Sequence, residues 1–202
     1  MSNFGSVLSS DRINLAKINF LVIDDNPYCL NIMGQVLTGF NVGSITKCAN
    51  AKEARQILSE RIVDFILTDA TMPEESGYDF LEWVRRNAGD ANRFVPAIII
   101  TGHTKISQVA RGRDCGAHFV IAKPITPKII LERIFWVARD SRMFIESDTY
   151  CGVDRRFKSE GPPAGMKGRR HDDIEPEVVE VRDADGGEEV IDTPMEPLKV
   201  AQ

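Results

Sequence analysis

The sequence has few cysteines, and no two of them are closely spaced. Cys29, Cys48, Cys115 and Cys151 contain no CxxC pair and are spread over the chain. Structural zinc sites and disulfide scaffolds rely on paired or regularly spaced cysteines, so the pattern argues against both. It favours a reducing compartment, and we therefore expect a cytoplasmic protein.

Long apolar runs are also absent. No stretch approaches the roughly 18 apolar residues that a membrane-spanning helix requires. The N-terminal segment MSNFGSVLSSDRINLAK has neither the basic start nor the apolar run of a secretory signal. The sequence therefore predicts a soluble protein without a membrane span.

Apolar residues are unevenly distributed along the 202 residues. They are dense from Ile18 to Val137, whereas the C-terminal part loses its apolar runs and gains proline, glycine and charge. We expect a flexible leader over residues 1–16, one globular domain over residues 17–140, and a low-complexity, disordered, charged tail over residues 141–202.

The net charge of −5 hides two blocks of opposite sign in this tail. The basic block consists of Arg155, Arg156, Lys158, Lys167, Arg169 and Arg170, and acidic residues dominate from Asp172 onward. Like-charge runs usually stay unfolded, but paired arginines can also bind an anionic ligand such as a nucleotide, RNA or an acidic protein surface. No helical pattern long enough for a DNA-binding domain follows the globular part.

Strands and helices alternate five times within the globular part, as apolar runs and helical periodicity indicate. The predicted strands are Phe20 to Ile23, Ser44 to Cys48, Val63 to Thr68, Pro96 to Ile100 and Phe119 to Ile121. The first predicted helix begins after an Asn26 cap. The other four span Ala51 to Glu60, Asp79 to Asn87, Lys105 to Cys115 and Lys128 to Arg139. Parallel strands need helical crossovers, so the pattern predicts an α/β fold with a doubly wound, five-stranded parallel sheet.

Charged or hydroxyl side chains end four of the predicted strands. These residues are Asp24 with Asp25, Asp69, Thr101 and Lys123. The carboxyl ends of parallel strands share one edge of a sheet, so the three carboxylates, the hydroxyl and the ammonium are expected to converge there. Neighbouring carboxylates repel unless a cation joins them, and Mg²⁺ prefers such oxygen ligands and often bridges to phosphate. One carboxylate would remain as a nucleophile that forms an aspartyl phosphate.

Each of these residues also has an ordinary structural interpretation. Asp24 and Asp25 could cap the first helix, Asp69 could belong to a turn, and Lys123 could be a surface lysine. Independent caps and turns need not fall on the same edge of one sheet, so the joint pattern favours a phosphoacceptor site.

Four motifs, in this order, resemble the receiver domain of bacterial two-component response regulators. They are DD at residues 24 and 25, D-x-x-M-P-x-x-x-G from Asp69 to Gly77, T-G at Thr101, and G-A followed by K-P between Gly116 and Pro124. The resemblance covers about residues 18 to 140 and implies a flavodoxin-like, CheY-like (βα)5 fold. It points to a stand-alone receiver with a C-terminal tail.

The resemblance also implies a role for each site residue. Asp69 would accept the phosphoryl group, and Thr101 and Lys123 would contact it. Asp24, Asp25, Asp69 and the backbone carbonyl of Thr71 would hold Mg²⁺. The Lys123–Pro124 peptide bond would be cis, which is uncommon enough to be a useful test.

The phosphoryl donor implied by the resemblance is a histidine kinase or a histidine phosphotransfer protein. The chain would then be a phosphoacceptor that promotes its own phosphorylation and dephosphorylation, rather than an enzyme acting on other substrates. Its output would be phosphorylation-dependent association with an unknown downstream protein. The Y-x-G-x-D-R-R segment that starts at Tyr150 is similar to tails of some stand-alone bacterial receivers.

Three positions add hypotheses to this assignment. Val120 occupies the place where many receivers carry a tyrosine or phenylalanine, so we assign no aromatic switch. Thr71 and His103 lie where receivers vary, and we expect them to tune the lifetime of the phosphoryl group. Gly34 lies near Leu30 inside the first helix, and two interpretations are open. The sharper one is that both residues face a helix of the phosphodonor. The other is that the helix simply tolerates a glycine because packing holds it in place.

Two alternative functions compete with a signalling receiver. A phosphatase of the haloacid dehalogenase type also uses an aspartyl phosphate, but its motif order is reversed: its nucleophile comes on the first strand and its acidic pair comes late. A nucleotide- or RNA-binding effector would act through the arginine-rich tail, with the globular part as a scaffold.

Overall fold

The structure, a computed structural model, describes residues 8–9, 12–102, 106–147, 149–154, 178–182 and 188–192. The predicted leader before residue 8, His103 and the basic block of the tail lie outside these residues. Within the described part of the chain, no helix is long and apolar enough to cross a membrane.

Five parallel strands form the central sheet, as the sequence predicts. A two-residue antiparallel pair, β1 (Leu8–Ser9) and β2 (Arg12–Ile13), precedes it. The sheet strands are β3 (Asn19–Ile23), β4 (Ser44–Cys48), β5 (Phe65–Asp69), β6 (Ala97–Thr101) and β7 (Phe119–Ala122). Their order across the sheet is β4-β3-β5-β6-β7, and every neighbouring pair is parallel. The strand order reverses beside β3, where ligands bind in doubly wound folds.

Six helices in the described part of the chain follow or connect these strands. They are α1 (Pro27–Gly39), α2 (Ala51–Glu60), α3 (Gly77–Asn87), α4 (Asp90–Arg93), α5 (Ile106–Asp114) and α6 (Pro127–Arg139). Side chains of Asn26, Asn50, Ser76 and Thr126 accept a backbone N–H at the starts of α1, α2, α3 and α6. These caps satisfy N–H groups that have no partner within the helix. The short helix α4 is not predicted by the sequence pattern.

The helices cover both faces of the sheet and create two apolar layers. Met33 and Leu37 of α1 and Ile130, Ile134 and Val137 of α6 lie on one face, with Phe20, Phe65 and Phe119 of the strands. Residues of α2 and α3, together with Cys115 behind α5, lie on the other face, with Leu21, Ile66 and Ile99. Successive strand residues point to opposite faces, so continuously apolar strands bury side chains on both sides.

The fold continues past the predicted boundary at residue 140. Strands β8 (Phe144–Glu146) and β9 (Cys151–Val153) form an antiparallel hairpin, and Tyr150, Cys151 and Val153 are buried. The prediction of a disordered tail from residue 141 is therefore wrong for this hairpin. Two further strands, β10 (Val178–Arg182) and β11 (Glu188–Asp192), pair antiparallel.

The hairpin packs against the edge of the sheet where the strands begin. The Phe144 ring meets Phe94 edge to face, with 5.2 Å between the ring centroids. The Arg93 guanidinium binds Glu146 at 2.5 Å, and the Cys151 thiol donates to the carbonyl of Arg85 at 3.3 Å. We call this surface the amino edge, because it lies opposite the carboxyl ends of the strands.

Arg85 is the largest fully buried side chain at the amino edge. Its Nε donates to the Gly116 carbonyl at 3.0 Å, and its Nη1 donates to the Arg93 carbonyl at 2.7 Å. Burial lowers the pKa of Arg85 to about 10. Among the described residues its side chain binds no carboxylate, so the charge is compensated by carbonyl dipoles and by the Phe144 ring, 5.1 Å from the guanidinium carbon.

Candidate functional site

Four predicted site residues stand at the carboxyl edge of the sheet. Asp24 follows β3, Asp69 ends β5, Thr101 ends β6, and Lys123 comes directly after β7. Backbone hydrogen bonds extend the sheet ladder beyond the strands: Ala70 N–H donates to the Ile100 carbonyl and Lys123 N–H to the Thr101 carbonyl, both at 2.7 Å. The sheet itself therefore sets the spacing of these side chains.

Lys123 joins two of the carboxylates. Its Nζ lies 2.5 Å from Asp69 Oδ1 and 3.2 Å from Asp24 Oδ2. Asp69 and Asp24 are 5% and 7% exposed, respectively. The other oxygen of each carboxylate accepts a backbone N–H, from Thr71 at 2.6 Å for Asp69 and from Asn26 at 2.9 Å for Asp24. Such charge-assisted bonds hold both carboxylates in fixed orientations.

Burial and pairing act in opposite directions on the Asp69 carboxyl group. Desolvation is the largest cause and raises the pKa of Asp69 above its usual value, while the Lys123 ammonium and the Thr71 N–H lower it only in part. For Lys123 burial lowers the pKa, but the combined attraction of Asp69 and Asp24 outweighs it and the pKa is raised. The lysine therefore stays charged, and Asp69 is left with a more basic carboxylate than an exposed aspartate has.

Asp25 does not join this ion-paired group. Its residue is exposed, and no hydrogen bond or ion pair connects it to another described residue. The described part of the chain contains no cluster of three His, Cys, Asp or Glu side chains arranged to hold a metal ion. The predicted convergence of three carboxylates is therefore seen for Asp24 and Asp69 only.

The donor chemistry nevertheless fits a small divalent cation. Asp24 and Asp69 already share one cation, the Lys123 ammonium. Asp25 adds an exposed carboxylate next to Asp24, and within the described residues no hydrogen bond uses the Thr71 carbonyl. These are the hard oxygen donors that Mg²⁺ prefers.

The turn after β5 is built around a close backbone approach. Gly77 N–H donates to the Ala70 carbonyl at 3.1 Å, and a Cβ at position 77 would overlap the Asp69 carbonyl oxygen. Only glycine leaves room for this contact, which draws the start of α3 against the end of β5. The predicted cis bond between Lys123 and Pro124 is confirmed.

Other predicted positions have mixed outcomes. Thr71 is exposed beside Asp69, and its effect on phosphoryl lifetime stays a prediction, as does that of His103. Val120 is buried, and Phe119 packs against Trp136 on the α6 side of the sheet. Phe119 therefore does not replace the aromatic residue that is missing at position 120.

The hypothesis that Gly34 lies open to a partner is wrong. Gly34 is buried, and a Cβ there would overlap Cε and Nζ of Lys47, which reaches over it from β4. The exposed apolar residues of α1 are instead Tyr28 and Ile32, 78% and 61% exposed. They lie one turn apart on a helix that carries no charged residue.

Tyr78 is the residue beside the site that the sequence interpretation missed. It follows Gly77 at the start of α3 and is buried, and the guanidinium of Arg111 from α5 lies 4.8 Å from its ring centroid. A buried aromatic residue at helical spacing is normally part of the core. The only sequence signal was the pair of small residues, Gly112 and Val120, that leaves room beside it.

Comparison with known proteins gives one family. The family model described as the response regulator receiver domain matches residues 20–135. The chain is 29% identical over 122 residues to a probable chemotaxis protein CheY of Rhizobium etli, covering 59% of this chain and 93% of that protein. It is 27% identical over 121 residues to a probable cyclic di-GMP phosphodiesterase of Vibrio cholerae, covering 60% of this chain but only 26% of that protein.

Solved structures agree with the fold. A putative response regulator from Chloroflexus aurantiacus superposes with a TM-score of 0.57 at 23% identity, covering 61% of this chain and 99% of that one. The chemotaxis protein CheY4 of Vibrio cholerae gives a TM-score of 0.56 at 23% identity, covering 60% of this chain and 98% of that one. At this identity the likeness concerns the fold alone.

Proposed function

The chain belongs to the response regulator receiver domain family, and from this premise we propose that it is a phosphorylation-switched signalling protein whose phosphoacceptor is Asp69. The phosphoryl group comes from a phosphohistidine on a histidine kinase or a histidine phosphotransfer protein. The protein works in the cytoplasm and promotes its own phosphorylation and dephosphorylation. Its output is phosphorylation-dependent association with another protein.

One observation carries this proposal: Lys123 stands between Asp24 and Asp69 at the open edge of the sheet. A lysine that only stabilised the fold would not need two buried carboxylates at the carboxyl edge of a doubly wound sheet. Together with the basic Asp69 carboxylate, this arrangement supports nucleophilic chemistry on an electron-poor phosphorus.

The chemistry follows from the positions of these groups. An oxygen of Asp69 attacks the phosphorus, the phosphorus–nitrogen bond of the phosphohistidine breaks, and the imidazole keeps the electron pair and takes up a proton. Lys123 then exchanges part of its contact with Asp69 for a phosphoryl oxygen, and the Thr101 hydroxyl donates to another. Thr71 N–H continues to hold the second oxygen of Asp69.

Mg²⁺, held by Asp24, Asp25, Asp69 and the Thr71 carbonyl, would supply positive charge that offsets the repulsion between the carboxylates and the incoming phosphoryl group. Asp25 is exposed and is not bound to another described residue, so its carboxylate is available to such a cation. Without such a cation, only Lys123 would oppose the charge of the carboxylates.

A phosphotransfer profile tests the proposal. Purified histidine kinases and phosphotransfer proteins, loaded with radiolabelled phosphate, are mixed with the full chain, and label in the chain is measured over time. We expect rapid transfer from one or a few donors, loss of transfer in Asp69→Asn, and loss when EDTA removes divalent cations. Unchanged labelling of Asp69→Asn would contradict the proposal.

We further propose that the donor docks on the uncharged face of α1 through Tyr28 and Ile32. The face lies next to the site, because α1 starts immediately after Asp24 and Asp25, and its two exposed apolar side chains suit a helix of the donor. Ile32→Asp is expected to slow transfer from the protein donor at least about tenfold, because it buries a charge in the contact. Phosphorylation by acetyl phosphate stays unchanged.

Ile62→Asp is the matched control for this test. Ile62 is equally exposed, at 63%, but it precedes β5 at the amino edge, whereas α1 starts at the carboxyl edge. We expect it to leave both reactions unchanged. If Ile32→Asp slows the protein donor and acetyl phosphate equally, the docking proposal fails while the phosphoacceptor proposal stands.

A further inference from the structure

The loop between β5 and α3 carries one of the oxygens of the proposed metal site, the carbonyl of Thr71. The loop spans residues 70–76. Its two ends are fixed by the backbone of Ala70. The N–H of Ala70 donates to the Ile100 carbonyl at 2.7 Å, and its carbonyl accepts the N–H of Gly77 at 3.1 Å. The Thr71 carbonyl therefore belongs to a segment that is held at both ends, and its position depends on what holds the middle.

The middle of this loop is a strained turn. Glu75 N–H donates to the Pro73 carbonyl at 2.8 Å, and Glu74 between them has a φ of 67°. Three residues closed by such a bond around a positive φ form the rare, strained kind of γ-turn. The core holds the loop at buried Met72, but Pro73 and Glu74 are exposed. Strained backbone persists only where surrounding contacts hold it, so the turn needs a further contact from outside the loop.

Arg55 of α2 supplies this contact. Its Nη2 forms an ion pair with Oε1 of Glu75, and its guanidinium carbon lies 4.7 Å from the ring centroid of Trp83 on α3. The aromatic ring and the carboxylate hold the planar guanidinium on two sides. No other hydrogen bond or ion pair among the described residues joins the turn at residues 73–75 to another element. Arg55 therefore links α2, α3 and the loop.

We propose that Arg55 is a positioning residue for the metal site: its ion pair with Glu75 holds the strained turn, and the turn keeps the Thr71 carbonyl in place for Mg²⁺. The inference rests on the proposed function and deepens it, because it names a residue outside the site that sets the affinity of the site for its cation. The side chains of Arg55 and Glu75 are 37% and 23% exposed. Pairs near the surface contribute little to stability, so we expect the pair to act on metal binding more than on folding.

Charge and position predict opposite effects for the loss of Arg55. Arg55→Gln removes a positive charge near a cation site, so electrostatics alone would tighten Mg²⁺ binding. Loss of the ion pair frees the turn, and the bound cation then has to order it, which weakens binding. We expect about tenfold weaker binding, the lower end of what the loss of a group that orients a metal ligand typically costs.

Mg²⁺ alone is the probe for this test. Magnesium chloride is titrated into the isotopically labelled full chain, and the amide signals of Thr71 and Gly77 give the dissociation constant by NMR. Glu75→Gln should weaken binding as much as Arg55→Gln does. The double variant should bind no more weakly than either single variant, because all three lack the same contact. Charge effects alone would cancel in the double variant and return its affinity to that of the wild-type protein.

Arg86→Gln is the matched control. Arg86 is a half-exposed arginine of α3 with an ion pair of its own, 3.4 Å from Glu82. Its described partners, Glu82 and Thr149, lie outside the loop. We expect this variant to bind Mg²⁺ like the wild-type protein. An equal fall in affinity in Arg86→Gln would contradict a specific role of Arg55.

The outcomes separate this inference from the proposed function. Equal or tighter Mg²⁺ binding in Arg55→Gln would overturn the positioning role and leave the metal site intact. No Mg²⁺-dependent shift in the wild-type protein would overturn both the positioning role and the proposed metal site.

If Arg55→Gln does not fold, Arg55→Lys replaces it. The lysine keeps the charge but lacks the planar fork that stacks on Trp83 and reaches Glu75 at the same time. Binding of Mg²⁺ should therefore still weaken, and wild-type affinity in Arg55→Lys would contradict the positioning role.

Discussion

Charged side chains are buried at both edges of the sheet, but the charge is compensated differently at each edge. At the carboxyl edge Lys123 is paired with Asp69 and Asp24. At the amino edge the hydrogen bonds that Arg85 makes to described residues go to backbone carbonyls, and its guanidinium faces an aromatic ring. A group that is paired with carboxylates can exchange partners when a phosphoryl group arrives. A group bound to the backbone of α4 and of the turn before β7 holds these two segments in place. The first arrangement suits a reaction and the second suits a scaffold.

Removal of the β8–β9 hairpin should lower stability through the loss of contacts at the amino edge, and it should leave the carboxyl edge unaffected. A chain that ends after Asp140 loses β8 and β9, which bury Tyr150, Cys151 and Val153, and at about 1.5–3 kcal/mol for each large buried side chain we expect it to lose roughly 5 kcal/mol of unfolding free energy. Urea unfolding followed by circular dichroism measures the loss.

A chain that ends after Asp154 is the control for this truncation. It keeps the β8–β9 hairpin and removes the basic block together with β10 and β11. The two truncated chains differ in residues 141–154, which contain the hairpin, and we expect the longer one to be more stable by roughly 5 kcal/mol. Equal stability of the two truncated chains would show that the hairpin does not belong to the folded unit.

Replacement of Lys123 should slow the reaction at the carboxyl edge, and it should leave the amino edge unaffected. In Lys123→Met the two buried carboxylates lose their shared cation, and a charge aimed at the reacting group is typically worth about 100- to 1000-fold in rate. We expect a loss of this size in phosphoryl incorporation from acetyl phosphate, measured by intact mass spectrometry over time.

Lys128→Met provides the comparison for Lys123→Met. Lys128 is an exposed lysine of α6 that lies 3.9 Å from Glu132, and surface pairs of this kind contribute little. The rate of phosphoryl incorporation in Lys128→Met should match that of the wild-type protein. A similar fall in both variants would mean that the Lys123 contact has no special role.

Arg85→Met tests whether the buried arginine serves only the scaffold. The methionine fills part of the space but leaves the carbonyls of Gly116 and Arg93 without their donors, at a cost of about 1–3 kcal/mol for each unpaired group. We expect a loss of roughly 2–4 kcal/mol of unfolding free energy and an unchanged rate of phosphoryl incorporation. Arg86→Met, at the neighbouring half-exposed position, should change neither quantity; a slower reaction in Arg85→Met with full stability would contradict this division of roles.

His118 should make the amino edge sensitive to acid. Burial, then the charges of Arg85 and Arg142, lower the pKa of His118 well below 6.5, and its Nδ1 accepts the Ala97 N–H at 3.2 Å. Below pH 6.5 the unfolded chain binds a proton that the folded chain does not, so stability is present above this pH and is lost as the pH falls towards the pKa of the folded state.

The expected slope from this one group is at most about 1.4 kcal/mol per pH unit, because it corresponds to one proton. Urea unfolding between pH 5 and 7.5, roughly spanning the usual histidine range, measures it. His118→Asn, whose side-chain oxygen can accept the same N–H, should lack this contribution to the slope. An identical pH dependence in both proteins would show that His118 is not the group that titrates.

The sequence pattern predicts most of the carboxyl edge and little of the amino edge. Buried strands that end on Asp69, Thr101 and Lys123 determine both the sheet and the position of these residues, because parallel strands bring their ends together. The hairpin after residue 140 was missed because its strands have three residues each, too few for a periodicity to emerge. Its stability comes from contacts with residues that are distant in sequence, such as Arg85 of α3 and Arg93 of α4.

Two other differences have the same origin in long-range contacts. Gly34 looked open because helix periodicity does not show that Lys47 from the neighbouring strand covers it. Tyr78 looked like an ordinary core residue because its contact with the Arg111 guanidinium joins α3 to α5, which are separate in the sequence. Local sequence patterns describe which face a side chain occupies, but not which side chain from another element meets it there.

The most direct test of the central claim is to locate the phosphoryl group. The full chain is incubated with acetyl phosphate and Mg²⁺, reduced with borohydride to trap any acyl phosphate, and mapped by peptide mass spectrometry. The account predicts one modified residue, Asp69, with no modification in Asp69→Asn and normal modification in Asp64→Asn, whose buried carboxylate accepts from Asn19 at the amino edge. Modification at another residue, or modification that persists in Asp69→Asn, would contradict it.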